Sequence, residues 1–140
     1  MRMKAEARYP LDEMAAQVGP CAYDEVDGAP RLVRGVVVRH LLLPGGLEDS
    51  KRVVRMLVER YGDAVKLSLM SQYTPVLATA AAQGDARARR ILKRCPELES
   101  PVPPEEYEEL LDYADSIGAG DYFWQEGEPA NESFIPVWDV

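Results

Sequence analysis

The feature that most constrains the fold of this chain is an uninterrupted apolar run, residues 36–43, that carries Arg39 and His40 at its centre. Continuous runs of valine and leucine are typical of parallel strands that helices cover on both faces. The guanidinium of Arg39 keeps its charge at every accessible pH, so in a covered strand it needs an anion or a set of acceptors beside it. That anion is either a protein carboxylate or a ligand, and the sequence leaves both open.

The apolar run begins a predicted strand–helix–strand unit. Pro-Gly-Gly at 44–46 ends the run, and Glu48 and Asp49 then open a helix with the negative charge that a helix amino terminus favours. A second apolar strand follows at 65–70. A crossover of this length implies that the two strands pair in parallel, with a right-handed connection.

The segment before this unit, residues 1–35, is predicted to be a lead-in. Its apolar spacing indicates a helix at 10–18, which Gly-Pro then ends. A short hairpin follows, and Asp27-Gly28 is its turn, because this pair is a frequent two-residue connection between antiparallel strands.

The segment after the unit adds helices and one short strand. An amphipathic helix begins near Pro104, a strand is expected at 121–125, and the aromatic tail at 126–140 is expected to dock on the body. The prediction is one domain, residues 1–140, of the α/β class. It has an open, mostly parallel sheet of about three strands with helices on one side, and such a sheet leaves an edge that needs covering.

Composition excludes several classes of function. The formal net charge of −8 argues against general nucleic-acid binding, which requires a basic surface. No stretch approaches the roughly 20 apolar residues of a membrane span, and the first residues have no apolar signal core, so the cytoplasm is the expected compartment. Cys21 and Cys95 are far apart and show no metal-ligand spacing, so they are interpreted as reduced thiols.

The single histidine of the chain, His40, has no second histidine with which to form a metal site. Alternation along the strand places Val37, Arg39 and Leu41 on one face and His40 on the other. His40 is therefore predicted to face the helix layer as a packed, hydrogen-bonded residue. This interpretation is favoured over a catalytic role.

Polar residues also occur at the second strand. Ser68 interrupts its apolar pattern, and Gln72 and Tyr73 follow where it ends. Ligands of parallel sheets bind at the carboxyl ends of strands, so Gln72 and Tyr73 are candidate ligand contacts. An alternative is that Gln72 satisfies backbone groups of the loop. The carboxylates of the helix at 105–115 are expected on its solvated face.

Three segments together, residues 39–50, 68–73 and 133–136, resemble the carboxyl-terminal half of radical S-adenosylmethionine (SAM) proteins similar to the pyruvate formate-lyase activating enzyme. The segments at 14–19 and 104–108 fit the same group. The resemblance implies half of a partial (βα)₆ barrel, with a four-iron cluster and SAM at the carboxyl ends of the strands.

The resemblance also implies roles for three residues. Arg39 matches the arginine of an Arg-x-x-x-x-Pro-Gly strand that reaches SAM, and a guanidinium fork suits the methionine carboxylate. Gln72 or Tyr73 would supply a polar contact from the neighbouring strand end. The cluster loop of the family, Cys-x-x-x-Cys-x-x-Cys, belongs to its first strand and has no match here, and Cys21 and Cys95 do not replace it.

These observations lead to a prediction and two alternatives. The expected function is the carboxyl-terminal portion of a radical SAM activating-enzyme-like protein, which binds no cluster alone and needs a missing amino-terminal half. A glycyl radical enzyme is the target that the resemblance implies. One alternative is a non-catalytic interaction module that forms a homodimer through its open sheet edge. The least favoured is an independent enzyme built around Arg39 and Gln72, since no general base is evident.

Overall fold

The computed structural model of the protein describes residues 9–125. The expectation of a docked tail at 126–140, and the matching segment at 133–136, lie outside the described residues. The described helices are α1 (Pro10–Val18), α2 (Leu47–Tyr61), α3 (Val76–Ala82), α4 (Ala86–Arg94) and α5 (Pro104–Ser116), with 3₁₀ turns at Gly62–Ala64 and Pro96–Glu99. The strands are β1 (Ala22–Val26), β2 (Ala29–Arg34), β3 (Val36–Leu41) and β4 (Val65–Met70).

The central sheet is the parallel pair of β3 and β4, as the crossover length predicts. Val36 lies opposite Val65 at one end, and Leu41 lies opposite Met70 at the other. Beyond β4, Phe123 forms an isolated parallel bridge with Ser68. The α/β class and the open sheet are thus confirmed, while the expected strand at 121–125 is reduced to this one bridge.

The hairpin of β1 and β2 forms a second, antiparallel sheet. Asp27 and Gly28 connect its strands with φ angles of 52° and 78°, which is the left-handed geometry of a two-residue hairpin turn. The turn predicted at Asp27-Gly28 is therefore confirmed. Almost every residue of the two strands is exposed, so the hairpin contributes little to the core.

Helices α2 and α5 cover one face of the β3–β4 sheet. Glu48 and Asp49 occupy the first turn of α2, and the backbone N–H of Gly62 donates to the carbonyl of Val58 where the helix ends. Each fully buried leucine of the layer contributes about 1.5–3 kcal/mol through loss of apolar surface from water. The core consists of Leu42, Val54, Leu57, Val65, Leu67, Leu69, Val102, Tyr107, Leu110 and Ala114.

The opposite face of the sheet is open, which corrects the expectation that β3 is covered on both faces. Exposure alternates along the strand, and Val37 and Leu41 remain 41% and 39% exposed. The reason is that α2 and α5 both pack on the same side, and within residues 9–125 the other side of β3 stays largely exposed, whereas Lys66 of β4 is buried beside Tyr23 and Phe123. A continuous apolar run indicates that both faces of a strand can be buried. It does not ensure that other segments pack against both faces.

Candidate functional site

Arg39 lies on the open side of the sheet, opposite Ser68 of β4. Its side chain is exposed, and within residues 9–125 it has neither a hydrogen bond nor a salt bridge. Of the two anions that the sequence left open, a protein carboxylate is not found beside Arg39 within residues 9–125, and a ligand stays a prediction. Arg39 instead presents its cation outward from the middle of β3.

The surface around Arg39 is here named the open face. In the register of the sheet, the pair Val37–Lys66 precedes the pair Arg39–Ser68, and side chains of these residues share one side. Among its members within residues 9–125 there are two cations and a hydroxyl but no carboxylate, so the face favours an anionic group. The open face consists of Val37, Arg39, Leu41, Lys66, Ser68, Met70 and Phe123.

Lys66 is the second cation of the open face and is only 7% exposed. Its Nζ lies 5.3 Å from the ring centroid of Tyr23 and 5.1 Å from that of Phe123. Such cation–π contacts partly replace the water that burial removes. Sequence analysis did not single out Lys66. A charged lysine within an apolar strand, two residues before Ser68, is the signal that could have identified it.

Tyr73 and Gln72 lie beyond the carboxyl end of β4, where a ligand contact was predicted. The Tyr73 hydroxyl donates a 2.6 Å hydrogen bond to the carbonyl of Leu98, and burial raises its pKa. This bond holds the Pro96–Glu99 turn against the loop, while Gln72 is exposed. No hydrogen bond joins any two of Arg39, Gln72 and Tyr73 in the described part of the chain.

Tyr107 organises the carboxyl end of the sheet from α5. Its hydroxyl donates to the carbonyl of Leu69 at 2.6 Å and accepts from the backbone N–H of Gln125 at 3.0 Å. Burial raises the pKa of this hydroxyl, so it stays protonated. Sequence analysis placed Tyr107 only on an apolar helix face, because hydroxyl partners from other elements leave no trace in the local pattern.

Within residues 9–125, two buried side-chain acceptors have no hydrogen-bond partner. They are Oε2 of Glu106 and Oε1 of Gln125. For Glu106 this corrects the expectation that the carboxylates of the helix are all solvated. Buried acceptors without a donor are uncommon in folded proteins.

His40 faces the helix layer, as predicted. Its Nε2 lies 2.7 Å from the Oγ of Ser50, which is 2% exposed. Burial lowers the pKa of His40 below its ordinary value of 6.5, so the ring is neutral at pH 7. The packed, hydrogen-bonded role of His40 is confirmed.

Helix α1 lies beside β3 and is tied to the end of α2. Arg60 donates to both carboxylate oxygens of Asp12 at 3.1 and 2.7 Å, and the Tyr61 hydroxyl donates to the same carboxylate at 2.6 Å. These bonds hold α1 over a groove of about 450 Å³ along β3. The groove is lined by Tyr9, Pro10, Leu11, Met14, Val36, Val37, Val38, Arg39, Met56 and Tyr61.

The described residues do not fit an iron–sulfur cluster. No group of three or more histidine, cysteine or acidic side chains within residues 9–125 is arranged to hold a metal ion. Cys21 and Cys95 are both free thiols, and the Cys21 Sγ contacts the carbonyl of Ala64 instead. None of the helices between residues 9 and 125 is long and apolar enough to cross a membrane.

Comparisons of the chain with protein-family models, with curated proteins and with solved structures found no match.

Proposed function

We propose that this chain is the carboxyl-terminal half-barrel of a radical SAM protein of the activating-enzyme type. In this proposal Arg39, Gln72 and Tyr73 contribute to the SAM pocket, and the chain is inactive without an amino-terminal half that carries the cluster cysteines. The observation that carries the proposal is the exposed guanidinium of Arg39, without a protein partner in residues 9–125, on the uncovered side of a parallel sheet.

The arrangement of the sheet supports the proposal that this chain forms part of a barrel wall. β3, β4 and the Phe123 bridge are adjacent in chain order and mutually parallel, and α2 and α5 pack on one side only. A barrel wall has helices outside and side chains inside, whereas a doubly wound sheet has helices on both faces. The open face would then point toward the interior of the complete barrel.

The chemistry of the open face suits one end of SAM. The methionine part of this ligand is a zwitterion, and a guanidinium can donate two parallel hydrogen bonds to its carboxylate. Arg39 binds and orients the ligand in this proposal, and neither it nor its neighbours transfer an electron.

The cluster required for reductive cleavage of SAM has no place among the described residues, so no reaction step is assigned to this chain alone. Cys21 contacts the turn before β4, and Cys95 follows the end of α4. The cysteine-bearing half must therefore come from elsewhere. A stoichiometric cluster on the isolated chain after anaerobic reconstitution would contradict the proposal.

Calorimetric titration of SAM into the chain, alone and combined with a candidate amino-terminal half that carries the cysteine triplet, tests the ligand role of Arg39. Arg39→Ala is expected to weaken SAM binding about tenfold or more, because a charge-assisted pair is worth about 1.5–3 kcal/mol. Arg52→Ala is the matched control, since Arg52 is an exposed arginine on α2 that pairs with Asp49. Equal affinity of both variants would remove Arg39 from the site.

A second candidate function is an interaction module that covers its sheet edge by forming a homodimer. The observation that favours it is the edge of β3, which pairs with no strand on its far side within residues 9–125. Light scattering distinguishes the two functions: a stable dimer of the isolated chain favours the module, and a monomer argues against it. An independent enzyme has less support, because His40 faces Ser50 rather than the open face.

A further inference from the structure

Lys66 is a buried cation to which no acceptor is bonded. The residue is 7% exposed, and within residues 9–125 it forms neither a hydrogen bond nor a salt bridge. The rings of Tyr23 and Phe123 lie beside its ammonium group, but a ring face does not replace the oxygen atoms to which three N–H groups can donate. Buried charges are normally paired, so this ammonium group requires an acceptor that the described residues do not supply.

A cavity of about 240 Å³ lies beside Lys66, at the amino end of β4. Its walls come from the start of the hairpin, from the turn that precedes β4 and from the segment that follows α5. The buried side-chain atoms without a partner in residues 9–125 belong to Glu106 and Gln125 alone, so the Nζ of Lys66 keeps accessible surface. Tyr23 lines the cavity and its ring lies beside this Nζ, so the ammonium group borders the same space.

Two carboxylates, here named the rim carboxylates, border the same cavity. Asp63 belongs to the 3₁₀ turn before β4, and Asp121 follows α5. Both residues are exposed, and neither carboxylate forms a hydrogen bond or a salt bridge within residues 9–125. The cavity therefore presents a buried cation and two accessible anions that do not neutralise one another directly.

This charge pattern discriminates between classes of ligand. An anion would pair with Lys66 but would also meet two carboxylates of like charge. A cation would pair with the carboxylates but would leave Lys66 without an acceptor. A ligand that carries both a carboxylate and an ammonium group satisfies all three side chains. The cavity is smaller than the roughly 300–1,000 Å³ of pockets for drug-sized ligands, so the ligand is small.

We infer that this cavity binds a small zwitterion of the α-amino-acid class. The ligand carboxylate accepts from the Nζ of Lys66, and the ligand ammonium group donates to the rim carboxylates. The ligand side chain lies against Tyr23 and Ala119. None of the three residues assigned to the SAM pocket lines this cavity, so the inference is independent of the proposed function.

Titration of L-alanine into the full nitrogen-15-labelled chain, followed by NMR of the backbone amides, tests the inference. Saturable shifts are expected at Asp63, Lys66 and Asp121. Propionate lacks the ammonium group and ethylamine lacks the carboxylate, so each is expected to bind about tenfold or more weakly than L-alanine. Equal binding of propionate shows a simple anion site, and equal binding of ethylamine shows association with the acidic rim. Either result overturns the inference.

Replacement of Lys66 tests the role of its ammonium group. Lys66→Met keeps an unbranched apolar side chain between the two rings and is expected to weaken L-alanine binding about tenfold or more. Lys93→Met is the matched control, because Lys93 is an exposed lysine on α4, and it is expected to leave binding unchanged. Native affinity of a folded Lys66→Met variant contradicts the inference.

Replacement of the rim carboxylates keeps the test decisive if Lys66→Met does not fold. Asp63→Asn combined with Asp121→Asn changes exposed side chains and is expected to weaken L-alanine binding about tenfold or more. Asp24→Asn combined with Asp112→Asn is the control, since these exposed aspartates do not line the cavity. Equal affinity of the two double variants overturns the inference, as does the absence of saturable shifts in the native chain.

Discussion

The hydroxyl of Tyr107 donates a 2.6 Å hydrogen bond to the carbonyl of Leu69, which joins α5 to the carboxyl end of β4. The same oxygen accepts from the N–H of Gln125 at 3.0 Å. Tyr107 is 7% exposed, so little water can replace either partner. One phenol therefore holds a helix, a strand and the segment after the Phe123 bridge in a single arrangement.

Replacement of Tyr107 by phenylalanine is expected to lower the free energy of unfolding by about 1–3 kcal/mol, because it leaves a buried carbonyl and a buried N–H without their partner. Urea unfolding monitored by circular dichroism measures the change. Tyr23→Phe is the matched control, since Tyr23 is 48% exposed and its ring remains available to Lys66. Equal stability of the two variants would show that the Tyr107 hydroxyl is dispensable.

Core and open-face leucines are expected to respond differently to truncation. Leu110 is fully buried, so Leu110→Ala should destabilise the protein by about 2–5 kcal/mol. Leu41 is 39% exposed on the open face, so Leu41→Ala should cost about 1 kcal/mol or less in the isolated chain. The comparison uses the same unfolding measurement. Similar losses at both positions would mean that something covers the open face.

Stability is expected to decrease as the pH falls below the ordinary histidine pKa of 6.5. Burial lowers the pKa of His40 in the folded state, so the unfolded chain takes up a proton first. The stabilisation is complete above pH 6.5 and is lost progressively as the pH falls through the lowered value. Unfolding of the native chain and of His40→Asn between pH 7.5 and 5 checks this, and parallel pH profiles would contradict it.

The carboxyl of Asp12 is expected to titrate at about 2 rather than at 3.8, chiefly because Arg60 and then Tyr61 donate hydrogen bonds to its charged form. Attachment of α1 should therefore be complete above pH 3.8 and be lost as the pH falls through about 2. Carbon-13 NMR of the aspartate carboxyls measures the titration. Arg60→Gln should return the Asp12 pKa toward 3.8, and Arg52→Gln should leave it unchanged.

Several elements could be predicted because their signals are local. The hairpin turn needs two residues with positive φ, and Asp27-Gly28 meets that need. The helix α2 has acidic residues where it begins and Gly62 where it ends. Strand alternation predicts that the His40 side chain faces the helix layer, and its hydrogen bond with Ser50 of α2 confirms this.

The candidate site could be predicted only in part. Arg39 lies at the predicted place in β3, and its exposure depends on where the helices pack rather than on its neighbours in sequence. The Tyr73 hydroxyl bonds Leu98, and the Lys66 ammonium lies between rings from the hairpin and the Phe123 bridge. Such partners come from distant segments, so no spacing rule reveals them.

The sequence by itself determined the α/β class, the parallel pairing of β3 with β4 and the face on which each strand side chain lies. These follow from periodicity, crossover length and turn chemistry, which are properties of neighbouring residues. Only the tertiary structure decided that one face and one edge of β3 stay uncovered within residues 9–125. The physical reason is that an apolar run shows how much apolar surface a strand has available for burial. How much of that surface is buried depends on which other segments pack against the strand.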